Sequence, residues 1–304
     1  MLRSFSLLSR NLKKVASRTL ALLGALFFLH AGLGQAGEAI QIQKDIPYLS
    51  GEESNDASVQ EKCKFDLYLP EKPASGFPLL VWFHGGGLTR GCRNPCPTAE
   101  IFAKRGIAVA SADYRLNPQV KYPVYLQDAA MAVACAIREA VKKGANPKAI
   151  FVSGHSAGAY LTMMLAMDPH YLRDAGLPDG AVAGFIAVSA QMVTHFTVRA
   201  ERGIPEEKII VDEAAPLFHA RKDAPPLLLL VGGQDLPPRL PENQLFATVM
   251  TTLAKNETTT LLVVPDRTHM SLAEKLLTEG DIGGPAMLEF IKKRTPSPGA
   301  ATGK

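Results

Sequence analysis

Of the 304 residues, 47% are hydrophobic and 20% charged, a balance that supports a large globular core and excludes a disordered or collagen-like chain. The formal charge of +4 gathers at one end: residues 1–36 hold Arg3, Arg10, Lys13, Lys14 and Arg18 with no acid, which leaves 28 Lys and Arg against 29 Asp and Glu, a net −1, for the rest. Without a strong positive field no nucleic-acid partner is expected.

The N-terminal basic stretch leads into an apolar run from Thr19 to Leu29 and then small residues around Gly34-Gln35-Ala36. That is the three-part layout of a secretory signal peptide, residues 1–36, with cleavage near Ala36 and an exported, periplasmic or secreted product. An N-terminal membrane anchor is the alternative. The apolar run falls short of the ~20 residues a span prefers, so no stable membrane span is expected in the mature chain. Four cysteines in an exported chain allow three full pairings, and the Cys92, Cys96 spacing leaves a small loop disulfide open. Cys135 lies in an Ala-rich helical stretch and reads as core.

A polar segment runs from Gly37 to about Gln60. Beyond it, short apolar runs predict strands at 64–69, 79–83, 107–112, 149–153, 184–189, 227–231 and 261–264. Helical periodicity between them predicts helices at 98–104, 125–143, 157–167, 241–255 and 285–293. This alternation is what a mainly parallel sheet with crossover helices requires, giving an α/β fold class in one domain over 37–294. Residues 190–226 break the rhythm and are expected to form a small lid, and residues 295–304, rich in Pro, Gly and Ser, a frayed tail.

Phe151-Val152-Ser153-Gly154-His155-Ser156-Ala157-Gly158 joins a predicted strand directly to a predicted helix and contains G-x-S-x-G. A serine thrust out on so sharp a turn needs neighbours without bulk, which Gly154 and Gly158 provide, and the helix that follows aims backbone N–H groups at any negative charge formed there. Ser156 is therefore the candidate nucleophile. A serine hydroxyl needs a base and an orienting acid, and on this kind of sheet the chain order is Ser, then Asp or Glu, then His. His269, in a loop after the last predicted strand, is the one histidine late enough. Asp235, in the Gly232-Gly233-Gln234-Asp235 turn after the preceding strand, is the matching acid, placed to hold the imidazole tautomer. Upstream, the strand at 79–83 ends in His84-Gly85-Gly86-Gly87. Three glycines carry an entropic cost that becomes intelligible if backbone N–H groups must approach a ligand. Gly86, Gly87 and Ala157 are the candidate oxyanion donors, with His84 and Gly85 as structural neighbours.

With HGGG and GHSAG in these places, followed by Asp113-Tyr114-Arg115-Leu116-Asn117-Pro118, Tyr122-Pro123 and Gln127-Asp128, the chain resembles the α/β-hydrolase superfamily over about residues 62–294. The likeness is to the HGGG carboxylesterases of the hormone-sensitive-lipase-like and feruloyl-esterase-like group, with kynurenine-formamidase-type enzymes nearby. It implies the α/β-hydrolase fold, with helices on both faces of a mostly parallel sheet. It also implies a small-molecule ester as substrate and acyl transfer to water, without cofactor or metal; an amide-cleaving hydrolase on the same triad and a non-catalytic binding protein on the same fold are the alternatives. The chain departs from the pattern in its short segment before the first strand, in Gly158-Ala159 where Gly-Gly is common, and in Arg267-Thr268-His269 where a Gly-His turn is common. These departures bear on pocket shape rather than on chemistry.

Overall fold

A computed structural model describes residues 40–51, 55–71 and 75–296. The expected signal peptide, its cleavage position and tail residues 297–304 lie outside the described residues. In chain order the elements are β1 (Ile40–Pro47), α1 (Ala57–Lys62), β2 (Lys64–Pro70), β3 (Phe77–Phe83), α2 (Pro97–Ala103), β4 (Ala108–Ala112), α3 (Val124–Lys142), β5 (Ala145–His155), α4 (Ala157–Met167), α5 (His170–Asp174), β6 (Gly184–Val188), α6 (Phe196–Glu201), β7 (Leu227–Gln234), α7 (Arg239–Thr248), β8 (Thr259–Thr268), α8 (His269–Glu274) and α9 (Gly283–Arg294).

The strands form one sheet in the order β1-β2-β4-β3-β5-β6-β7-β8. β1 and β2 pair antiparallel and β3 to β8 run parallel, each parallel step made by a crossover on one face or the other. This is the mostly parallel α/β sheet that the alternation of apolar runs implied, in the arrangement that the resemblance implied.

Because strand side chains alternate, the central strands feed two cores. Leu79, Val81, Phe83, Ile150 and Val152 point to a core shared with α3, α4 and α7. Leu80, Trp82 and Phe151 point to the other, closed by Phe102 of α2, Leu272 of α8 and Met287 and Phe290 of α9. Helix α4 is apolar all round and all eleven of its residues are buried, as expected of a helix packed on every side. It is the rigid post on which the turn at Ser156 stands. Among the described residues no helix is long and apolar enough to cross a membrane.

The structure corrects several expectations. The polar stretch 37–60 contains β1, whose Ile-Gln alternation is interrupted by a bulge between Gln43 and Ile46, with Asp45 at φ 58°. The bulge breaks the period-two signal that marks a strand. β8 runs well past 264 and straight through Pro265, which an edge strand tolerates because one row of its N–H groups has no partner to lose. The helix expected at 241–255 begins at Arg239 and loosens into a wider turn over Val249–Leu253. No disulfide joins Cys92 to Cys96: all four cysteines are free, Cys92 exposed with Sγ 3.0 Å from the Asn94 carbonyl and Cys96 buried. The segment 190–226 carries α6 and a short 3-10 turn at Pro216–His219.

Candidate active site

Each parallel strand delivers its C-terminal end to the same edge of the sheet, and the residues singled out by motif come from four of those ends. Ser156 follows β5, His84 to Gly87 follow β3, Asp235 follows β7 and His269 follows β8.

Ser156 sits at φ 56°, ψ −115°, a conformation that side-chain-bearing residues rarely adopt, and its N–H is held by the Val188 carbonyl at 2.9 Å. The two glycines of the motif are there for space. A Cβ on Gly158 would lie 2.1 Å from the Phe83 carbonyl oxygen, and one on Gly154 2.5 Å from Gly158 main-chain atoms. β5, β3 and α4 thus meet backbone to backbone directly beneath the serine.

The Ser156 Oγ is 2.8 Å from His269 Nε2, and His269 Nδ1 is 2.7 Å from Asp235 Oδ1. The Asp235 carboxylate can only accept, so Nδ1 carries the hydrogen and Nε2 presents its lone pair to the serine hydroxyl. Asp235 is further fixed by the Leu236 N–H at 2.7 Å, the Gly232 N–H at 3.2 Å and a short hydrogen bond from the Ser189 hydroxyl. Burial pushes the Asp235 carboxyl up, but the hydrogen bonds from His269 and Ser189 outweigh it and hold it below the usual range. β7 and β8 approach so closely here that a Cβ on Gly232 would lie 2.2 Å from the Arg267 carbonyl oxygen and one on Gly233 2.4 Å from that of Pro265. This contact sets the acid beside the imidazole.

His269 is not in a loop, as its flanking sequence suggested, but opens α8. Thr268 and Ser271 form a reciprocal capping box at its start, which fixes where the chain emerges from the strand and therefore where the imidazole projects. That Thr-x-x-Ser pattern was legible in the sequence. Ser189, by contrast, follows a strand with no motif around it, and only the fold brings it to Asp235.

The glycine loop lies against the serine: a Cβ on Gly85 would be 3.2 Å from Ser156 Cβ and 3.1 Å from the His155 carbonyl oxygen. Gly86 at φ 115° and Gly87 at φ 67° occupy the region that glycine alone adopts easily. The Gly86 carbonyl accepts from the Thr89 and Arg90 N–H groups, both at 3.2 Å, so the loop closes on itself. The N–H groups of Gly86 and Gly87 have no hydrogen-bond acceptor among the described residues. Ala157, the first residue of α4, has no carbonyl one turn earlier within its helix. His84 stands where a brace is needed: its Nδ1 lies 2.7 Å from the Gly85 carbonyl oxygen and its ring stacks on Tyr114 at 4.5 Å. Tyr114 in turn donates to the His84 carbonyl at 2.9 Å. His84 Nε2 is 3.3 Å from Asp113 Oδ1, an ion-pair distance rather than an aligned hydrogen bond. Burial raises the Asp113 carboxyl, and His84 and Arg93 together bring it below its ordinary range. Arg93 also reaches Asp66 and Asp45, so one guanidinium gathers three carboxylates behind the loop.

Three apolar side chains next to these residues are solvent-exposed: Phe196, whose ring contacts the Gly87 position, Leu236, which follows Asp235, and Met270, which follows His269. Among the described residues no group of three or more His, Cys, Asp or Glu side chains is arranged to hold a metal ion.

Comparison with known proteins finds likeness to esterases. The BD-FAE family model matches residues 65–200, which contain the HGGG loop and the Ser156 turn. The chain is similar to Esterase LipC of Mycobacterium tuberculosis, 29% identical over 55% of this chain and 46% of that protein. It is also similar to Carboxylesterase NlhH of the same species, 32% identical over 37% of this chain and 35% of that one. The chain thus spans under half the length of these curated relatives. Among solved structures, Esterase B from Lactobacillus rhamnosis superposes with a TM-score of 0.69 at 17% identity, over 93% of this chain and 95% of that one. A truncated carbohydrate esterase from gut microbiota superposes with a TM-score of 0.67 at 17% identity, over 86% of this chain and 98% of that one. At such identity the structural likeness is one of fold.

Proposed function

We propose that this chain is a serine hydrolase of the α/β-hydrolase superfamily that cleaves carboxylic esters of short to medium acyl groups. The observation that carries the reading is the continuous relay from Ser156 Oγ through His269 to Asp235, at 2.8 and 2.7 Å. Its relatives are named esterase and carboxylesterase, which supports an ester as the bond cleaved.

In this mechanism His269 Nε2 takes the hydroxyl proton as Ser156 Oγ attacks the ester carbonyl carbon. The Gly86, Gly87 and Ala157 N–H groups stabilise the negative charge on the carbonyl oxygen, and each such donor contributes on the order of 10² to 10³ in turnover. The carbon–oxygen bond to the alcohol then breaks and His269 returns the proton to the leaving oxygen. Water, deprotonated by the same imidazole, attacks the acyl-enzyme and releases the acid and the free serine. Asp235 stays ionised throughout and stabilises the imidazolium.

The test is direct. Ser156→Ala is expected to abolish hydrolysis of short-acyl p-nitrophenyl esters while circular dichroism stays that of the wild type. A fluorophosphonate is expected to label Ser156 in the wild type and not in His269→Ala. Turnover by Ser156→Ala comparable to wild type would overturn the reading. Export on the leader at 1–36 is part of the proposal, and N-terminal sequencing of the exported protein checks it, with a new terminus near residue 37 expected.

A further inference from the structure

Two guanidinium groups are buried beside the site with little to hold them. Arg199 and Arg239 are 3% and 4% exposed. Arg239 comes no closer than 3.5 Å to Gln191 Oε1 and 3.6 Å to Glu242 Oε1, both at the outer limit of a polar contact, and its Nε has no partner among the described residues. Arg199 donates from Nη1 to the Lys208 carbonyl at 2.9 Å, and its Nε is likewise unpartnered. A buried guanidinium normally sits in a tight fork against a carboxylate. Here one carboxylate, Glu242, faces two cations, and it already accepts the Met192 N–H at 2.9 Å. Asp235 is near enough to act on Arg239 electrostatically, but its oxygens are taken by His269, Ser189, Leu236 and Gly232. Glu242 and Asp235 balance the two cations in number, yet neither closes a fork on Arg239, whose buried Nε–H is left without an acceptor among the described residues, an unfavourable arrangement away from water.

This cluster borders each of the three parts of the active site. Gln191 Oε1, which faces Arg239, also accepts the Phe196 N–H at 3.3 Å, and the Phe196 ring contacts the Gly87 position. Thr197 donates its hydroxyl to the Gly87 carbonyl. His195 packs its ring 4.9 Å from Tyr160, one turn along the helix that opens at Ser156. Burial, then Arg239 and Arg199, drive its basicity far down, so it adds no charge. Arg239 itself lies four residues beyond Asp235.

Resting on the ester-hydrolase reading, we propose that Arg239, assisted by Arg199, receives a carboxylate of the substrate, so that the preferred esters carry an acid group on their acyl or alcohol portion. The close acceptor that Arg239 lacks among the described residues is then the substrate's carboxylate. Its charge-assisted hydrogen bonds are made by a fork that the free protein leaves unfilled.

The experiment compares kcat/KM for two pairs of esters of matched shape. One pair is mono-4-nitrophenyl glutarate against 4-nitrophenyl valerate, with the charge on the acyl side. The other is 4-acetoxybenzoate against 4-methylphenyl acetate, with the charge on the alcohol side. In at least one pair the wild type is expected to prefer the anionic ester by about ten-fold or more, and in Arg239→Met that preference is expected to fall about ten- to a hundred-fold. Arg239→Lys, which keeps charge but loses the fork, should fall between. A wild type that prefers the neutral ester in both pairs overturns the proposal with no variant needed. So does a folded Arg239→Met that keeps the wild-type ratio. If Arg239→Met does not fold, the same ratio is read in Arg239→Lys and Arg199→Met, where an unchanged value again overturns it. A wild type that cleaves none of the four esters and takes no fluorophosphonate label fails at the earlier step, as a hydrolase.

Discussion

His155 donates its Nε2 hydrogen to the main-chain carbonyl of His269 at 2.8 Å, with the two rings 4.8 Å apart. The residue immediately before the serine therefore grips the backbone of the residue whose side chain faces that serine, and the turn after β5 is tied to the start of α8 by a bond that does not pass through the reacting atoms. A carbonyl only accepts, so the bond requires a hydrogen on Nε2. Burial, followed by the neighbouring His269, lowers the His155 basicity to about 4, which keeps the ring neutral at ordinary pH.

If His155 is a positioning residue, removing its donor should move His269 rather than unfold the protein. His155→Phe keeps a ring and loses the hydrogen bond, and kcat for a neutral p-nitrophenyl ester is expected to fall on the order of 10²-fold, the usual cost of a misplaced catalytic group. His155→Gln, which retains an N–H donor, is expected to recover part of the loss in kcat, with KM little changed in either variant. Equal losses in the two variants would assign the effect to packing alone.

The same depressed basicity has a consequence for stability. The unfolded chain titrates this imidazole near its ordinary value of about 6.5, the folded chain near 4. Between these values the unfolded state binds more protons, so stability is lost as pH falls through that window. Relative to pH 7, the single group removes about 2 kcal/mol by pH 5. Buried His195 acts in the same direction. Urea unfolding of wild type and His155→Gln at the two pH values isolates the His155 share: the variant is expected to lose about 2 kcal/mol less than the wild type on acidification.

The glycines around the serine divide into those that hold the fold and one that holds the site open. Gly158→Ala drives a methyl to 2.1 Å from the Phe83 carbonyl oxygen, where three backbones meet, and is expected to destabilise by several kcal/mol, on the order of other severe overpacking changes. Gly85→Ala meets only contacts of 3.1 to 3.2 Å, with the His155 carbonyl oxygen, His155 Nδ1 and Ser156 Cβ, at a backbone angle any residue adopts. It is expected to leave the melting temperature within a few degrees while lowering kcat/KM by about ten-fold or more, because a few tenths of an ångström there displace the nucleophile from the loop that faces it. Thermal melts and ester kinetics on the two variants read the contrast.

What the sequence disclosed follows from what is local. The G-x-S-x-G turn, the glycine run after a strand and the Gly-Gly turn before Asp235 are all answers to close backbone approach, and each leaves its mark within a few residues. The chain order of nucleophile, acid and base then selected His269 from seven histidines. What stayed hidden depends on contacts across the fold. Ser189 lies 46 residues from the carboxylate it holds, and His155 lies 114 from the carbonyl it grips. Arg199 and Arg239, on separate helices, belong to no motif, and only the fold buries them side by side. β1 and the far half of β8 were obscured for a different reason: both are edge strands, where burial is one-sided and a bulge or a proline costs little.

The cysteines offer a check that needs no assay of activity. Spacing left a bridge between Cys92 and Cys96 open, yet in the fold the first is exposed and the second is buried where the chain enters α2. Burial, with Asp128 adding to it, pushes the Cys63 thiol up to about 12, and burial also raises Cys96 and Cys135. A thiol reacts as its thiolate and only where reagent can reach it. Ellman's reagent is therefore expected to modify one cysteine, Cys92, in the native protein, with tryptic mapping locating the label. In denaturant without reductant, all four are expected to react. No reaction in the native state and two thiols in denaturant would instead mean that Cys92 and Cys96 are joined, and that the loop behind His84 is closed covalently.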